Sequence, residues 1–251
     1  MNKKYELTEE KIYFWGRTLY RIKALKGFGS IEEGELGGYV ESEKNLSHLG
    51  NCWIYGNAKV YDDARVRNDA KVYDDAIIRN NAEIRDYAIV SGNAIVLNYA
   101  IVSGNAIVLN YAIVRGDGIV CDNAIVRDNA KVSNNAEIRD YAIVSDNAKV
   151  CNNAEVCDNA RVGGNVYIKE NAYITSPNDF LCVGQLGSRN DYTTFYLDKD
   201  KNIWVSCGCF NGTIEEFKEA VEETHGDNKY GKQYSLAIEF SRKHFELQRG
   251  E

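Results

Sequence analysis

The chain has 251 residues, 44% hydrophobic and 27% charged, and its 30 basic and 37 acidic side chains leave a net charge of −7. That composition excludes a disordered chain and argues against capture of long nucleic acid, which needs a basic face. No apolar run approaches the roughly 18 residues of a membrane span. The opening residues MNKKYE lack the core of a signal peptide, so the expectation is a cytoplasmic protein without a membrane partner. Seven cysteines in no framework spacing fit free thiols in a reducing compartment.

Residues 1–50 form the first unit. ELTEEKIYFWGRTLYRI at 6–22 reads as a β-hairpin turning near Trp15, Gly16 and Arg17. Residues 27–50 approach the repeat that follows, with Val40 and Leu46 in phase. They are expected to cap it, because an open coil edge invites unwanted pairing.

Residues 51–176 are the repeat. From 57 to 176 the chain divides into 20 six-residue units without insertion or deletion. Position 4 is Val or Ile in all 20 units, and position 2 is Ala in 18, with Gly118 and Val166 as exceptions. Position 1 is Asn or Asp in 16 units and Tyr87, Tyr99, Tyr111 or Tyr141 in the rest, while position 6 is Asp, Asn or Gly in 18. Positions 2 and 4 point to one side of a strand and positions 3 and 5 to the other. The Asn/Asp/Gly pair at positions 6 and 1 supplies the left-handed backbone angles of a sharp corner. Stacked units bury one apolar column, and a period of six cannot sustain a helical stripe.

On these residues the chain resembles the hexapeptide-repeat family, whose pattern VYDDAR at 60–65 matches as it stands. The resemblance implies a mainly β fold, a left-handed parallel β-helix of triangular section with three hexads per coil. With residues 51–56 that makes about seven coils and a prism about 34 Å long, at roughly 4.8 Å per coil. Two segments, GELGGYVES at 34–42 and GSRN at 187–190 with CGCFNGT at 207–213, resemble uncharacterised hexapeptide-repeat proteins of bacteriophages and prophages. That likeness implies a bacterial host cell as the setting.

Residues 177–251 begin at Pro177, the chain's single proline, and read as a small α+β domain. Apolar segments lie at 180–183, 194–197 and 203–205. A capping box, Thr213 with Glu216, opens a helix carrying Ile214, Phe217 and Val221, which His225 and Gly226 end. Tyr234, Ala237, Ile238, Ser241 and Phe245 mark a final helix.

The best-known members of the resembling family are acyltransferases using acyl-CoA with a histidine base. Here His48, His225 and His244 all lie outside the hexads, and no loop interrupts them. No catalytic residue, metal or cofactor is therefore assigned. Cys182, Cys207, Cys209 and His225 lack metal-site spacing, and the corner Asp residues read as turn formers rather than calcium ligands. Outward position 3 is Ile seven times running, Ile89, Ile95, Ile101, Ile107, Ile113, Ile119 and Ile125, with Leu97 and Leu109 beside them at position 5. This apolar belt predicts a homo-oligomer, and the resemblance implies a trimer. Gly187, Ser188, Arg189 and Asn190, with the hydroxyls of Thr193 and Thr194, make the candidate site for a small anionic ligand. The functional expectation is a non-catalytic oligomeric binding protein, phage-encoded, that captures a host protein or a nucleotide-like molecule. The alternatives are an acyltransferase using acyl-CoA, relying on His48 or a terminal residue, and a structural virion or assembly protein.

Overall fold

The computed structural model describes residues 3–249. The hexads form a parallel β-solenoid whose successive strands fall in turn on three sheets. The first face runs through Lys59–Val60 and Ile77–Arg79 to Tyr167–Ile168. The second runs from Arg65–Val66 to Tyr173–Ile174, and the third from Trp53–Ile54 to Arg161–Val162. Paired strands lie one full coil apart, as in Ile89↔Ile107 and Ile101↔Ile119.

Positions 2 and 4 fill the interior, as Ala88, Val90, Ala106 and Val108 show with no exposed surface. Backbone donors at positions 1, 3 and 5 reach the coil above, as Tyr87 N to Gly104 O and Ile89 N to Ala106 O do at 2.9 Å. Position 2 closes the corner, Ala88 N donating to Arg85 O at 3.3 Å. Position 6 adopts positive φ in every hexad from Gly56 to Gly164, the conformation that Asn, Asp and Gly tolerate best.

The corner aspartates do more than turn the chain. Carboxylates at position 6 accept the backbone N–H one coil later: Asp74 from Gly92 at 2.9 Å, Asp140 from Asp158 at 3.2 Å and Asp146 from Gly164 at 2.9 Å. Asn side chains form a second set of rungs, including Asn105 to Asn123 and Asn147 to Asn165, both at 3.2 Å. Asp74→Ala is expected to cost about 2–3 kcal/mol, from the lost corner hydrogen bond and from alanine's strain at positive φ, and Asp74→Asn appreciably less; chemical denaturation checks the order.

The solenoid has about eight turns rather than seven. Leu36–Val40 adds a rung, pairing in parallel with the next coil as Val40↔Val60, and Leu46 bridges Val66. These pairs reach further along the chain than later ones, because the segment from Leu46 to Ile54 is longer than a hexad step. The ammonium of Lys4 stitches this irregular turn, donating to Gly50 O at 3.2 Å and to Cys52 O at 2.9 Å, with Cys52 Sγ at 3.3 Å. Burial holds the Lys4 pKa below its ordinary value. The expected hairpin, Tyr5–Phe14 with Arg17–Ala24, pairs antiparallel and then joins Leu36–Val40, continuing the first face.

At the other end Ser176 caps a short 3-10 turn, Pro177–Asp179. The Asp179 carboxylate gathers Thr175 N at 2.8 Å, Thr175 Oγ1 at 2.7 Å and Ser176 N at 2.9 Å. A four-stranded antiparallel sheet follows, Phe180–Leu186, Asp191–Leu197, Ile203–Cys207 and Phe210–Thr213, then helices α1 (Ile214–His225) and α2 (Lys229–Arg249). Tyr196 on one side of the sheet joins the apolar column of the solenoid. Phe195, Leu197 and Val205 on the other side pack with Ile214, Phe217, Tyr234 and Phe245 of the helices. No helix among the described residues is long and apolar enough to cross a membrane.

Candidate functional site

The site begins at two tight turns. Gly187 and Asn190 bound the turn between the first two strands of the C-terminal sheet, both at positive φ. The tip of the third and fourth strands is Gly208, at φ +58°, flanked by the pair Cys207↔Phe210. The guanidinium of Arg189 lies across this tip: a Cβ on Gly208 would sit 2.9 Å from its Nη1. A Cβ on Gly187 would lie 1.9 Å from the Tyr234 hydroxyl, so Gly187 is required by close approach as well as by backbone angle, and Gly208 by backbone angle.

Beneath the tips lies a cavity of about 360 Å³, lined among others by Ser188, Arg189, Cys207, Phe217, His225 and Tyr234. Its floor is aromatic. Phe217 meets Phe210 at 5.1 Å and the edge of Tyr234 at 5.5 Å, and His225 stacks on Tyr234 at 5.7 Å between ring centroids. Burial, together with the neighbouring Cys207, pushes the Tyr234 phenol up to about 12, so at neutral pH it is a protonated donor. The Cys207 Sγ lies 3.8 Å from that hydroxyl and accepts a hydrogen bond from Thr193 Oγ1 at 3.3 Å. The lining holds one cation, Arg189, one carboxylate, Asp191, a neutral phenol and an apolar aromatic floor, a set that suits a flat molecule whose anionic end meets Arg189.

The expected ligand residues divide. Ser188 and Arg189 line the cavity. The Gly187 N–H is engaged by Gln233 Oε1 at 3.1 Å, and the Asn190 N–H by Gly187 O at 3.3 Å. Thr193 and Thr194 do not join them, since both are buried. Thr193 is held by Cys207, and Thr194 Oγ1 accepts from Tyr167 N at 3.1 Å on the solenoid side. The reason is strand alternation, which turns successive side chains to opposite faces of a sheet covered on both. Phe217 and Tyr234 were legible only as helix core and His225 as a helix end; nothing in their spacing points at the Gly208 turn.

Cys182 packs toward the solenoid and Cys207 toward the helices, so the cysteines weighed as metal ligands lie on opposite sides of the sheet. His48 stands at the far end of the solenoid. It stacks on Tyr5 at 4.4 Å, and its Nδ1 accepts the Lys4 amide hydrogen at 3.3 Å.

The isoleucines resolve into three unequal, half-buried ladders. Ile89, Ile107 and Ile125 stack with Ile143 on the third face. Ile95 and Ile113 stack with Ile77 on the first, and Ile101 with Ile119 on the second. Leu109 lies on the third face and Leu97 on the first, the latter opposite Arg79. Tyr87, Tyr99, Tyr111 and Tyr141 project from the corners, each more than 60% exposed. The chain matches no family model and no curated protein.

Proposed function

We propose that the protein is a non-catalytic, oligomeric binding protein whose C-terminal cavity captures a small flat molecule with an anionic group, nucleotide-like in chemistry. The solenoid serves as its scaffold. The observation that carries this reading is the Arg189 guanidinium beside the Gly208 turn, at the rim of a cavity with an aromatic floor. The hexad pattern supports membership of the hexapeptide-repeat family, with the left-handed coil of that family, and the two end segments support a phage or prophage origin in a bacterial host cell. Calorimetric titration with a nucleoside monophosphate tests the cavity. Arg189→Ala is expected to weaken binding at least about tenfold, from loss of a charged hydrogen bond of roughly 1.5–3 kcal/mol. Unchanged affinity in that variant, or no saturable binding by the parent chain, would sink the reading.

Self-association through the isoleucine ladders completes the proposal. The third face, with its four-isoleucine ladder, Leu109, and the exposed Tyr87 and Tyr141 along one corner, has the greatest apolar continuity. Light scattering is expected to show an oligomer that Ile107→Glu dissociates. A monomer, unchanged by that substitution, contradicts it.

A further inference from the structure

The three faces of the solenoid carry different charge, which the net charge of −7 conceals. On the second face cations and carboxylates neutralise one another: Arg67 pairs with Glu83, Arg85 with Glu83 and Asp86, and Arg139 with Glu137, Asp140 and Glu155. The charged side chains on the outward positions of the upper half of the first face are all cations: Arg115, Lys131 and Lys149, with Lys169 buried at the upper end. Among the described residues none of these four sits in an ion pair, although Asp146, Glu170 and Asp191 lie at the margins of the face.

Register sets their geometry. Lys131 and Lys149 stand directly opposite each other one coil apart, and Arg115 stands opposite Ser133, itself opposite Cys151. Like charges directly opposite in a sheet oppose folding, so the fold holds this pair against a cost. Lys149 lies 5.3 Å and Lys169 4.4 Å from the centre of the Tyr167 ring. The four cations thus surround the small, nearly buried side chains of Ser133 and Cys151. They span three coil steps, about 14 Å, and about 7 Å across the strand.

A second, separate observation stands at the upper end of this cradle. A cavity of about 410 Å³ opens where the C-terminal sheet meets the solenoid, lined by Lys149, Tyr167, Asn147, Asn165, Tyr192 and Ser206 among others. The Ser206 hydroxyl is enclosed beneath it, without a hydrogen-bond partner.

We infer that this cradle binds a small polyanion, an oligophosphate chain lying over Ser133 and Cys151 between Arg115, Lys131, Lys149 and Lys169. A phosphate chain bearing several charges within the length of the cradle matches cations one coil apart. It also accepts several hydrogen bonds from lysine without needing a fixed fork. The oligophosphate comes either free or as the tail of a nucleotide, whose organic part the adjoining cavity accommodates.

Calorimetry on the full chain with sodium tripolyphosphate tests this. Saturable binding that weakens as salt rises is expected, with a loss of about tenfold or more in Lys131→Gln with Lys149→Gln and none in Arg65→Gln on the second face. In the Arg189→Ala chain, a nucleoside triphosphate binding more tightly than tripolyphosphate identifies the nucleotide as the source, and equal affinity identifies the free chain. Absence of saturable binding, equal affinity in the double variant, or binding of a single-stranded oligonucleotide but not tripolyphosphate overturns the inference. Tripolyphosphate carries no ring, so failure here leaves the reading of the Arg189 cavity standing.

Discussion

Tyr196→Ala is expected to lower the free energy of unfolding by about 3–5 kcal/mol, the cost of deleting a large buried aromatic side chain. Tyr196 has no exposed surface and belongs to the apolar column of the solenoid, although it sits in the C-terminal sheet. It therefore closes the end of the prism, where the last coil would otherwise present Ile168, Ala172 and Ile174 to water. Its hydroxyl donates to Asn211 Oδ1 at 2.8 Å and lies 3.4 Å from the Glu170 carbonyl. Tyr196→Phe isolates that contribution, expected to be about 1 kcal/mol. Urea denaturation followed by circular dichroism measures both variants. A loss for the alanine variant no larger than that for the phenylalanine variant would mean that the sheet merely touches the solenoid.

Alkaline pH is expected to unfold the protein well before neutral-pH stability would suggest. Burial raises the thiols of Cys52, Cys151 and Cys157, and of Cys121 to about 12. Burial also raises the phenols of Tyr5 and Tyr196, and of Tyr73 to about 12. Each group keeps its proton in the folded state at a pH where the unfolded chain has lost it. The contribution of these groups is then level below pH 9, the ordinary thiol value, and falls above it. Lys4, lowered by burial, acts in the opposite sense as a single group. The expected slope between pH 9 and 11 is about 1–3 kcal/mol per pH unit. Denaturation curves under reducing conditions check it, and Cys52→Ala with Cys157→Ala should flatten the limb. A stability that stays level to pH 11 would refute the account.

Much of the scaffold was legible because its rules are local. The corner needs Asn, Asp or Gly, and the interior needs Ala after the corner and a branched side chain just beyond it. Each requirement recurs in every hexad, so no long-range information is needed to read it. The extra turn escaped this reading because Val40 and Leu46 pair across a longer stretch of chain than a regular coil, and only the buried Lys4 and the loop it stitches absorb the difference. The aspartate rungs escaped because a carboxylate one coil away from its donor looks in sequence like any turn former.

The sites behaved differently. Arg189 could be picked out as the cation of a glycine-bounded turn, but Thr193 and Thr194, equally polar in sequence, are buried in a strand covered on both sides. Local residue preferences were enough to specify the repeating coil, its corners, its apolar column and the helices that follow. Tertiary structure alone decided which outward residues share a face. Residues one coil apart become neighbours only once the coils stack, so a chain with net negative charge carries a group of cations that, among the described residues, lies outside any ion pair. Tertiary structure likewise decided that Phe217, His225 and Tyr234, on two helices, meet Arg189 and Gly208 from two separate turns. No period in the sequence links those positions; packing brings them together.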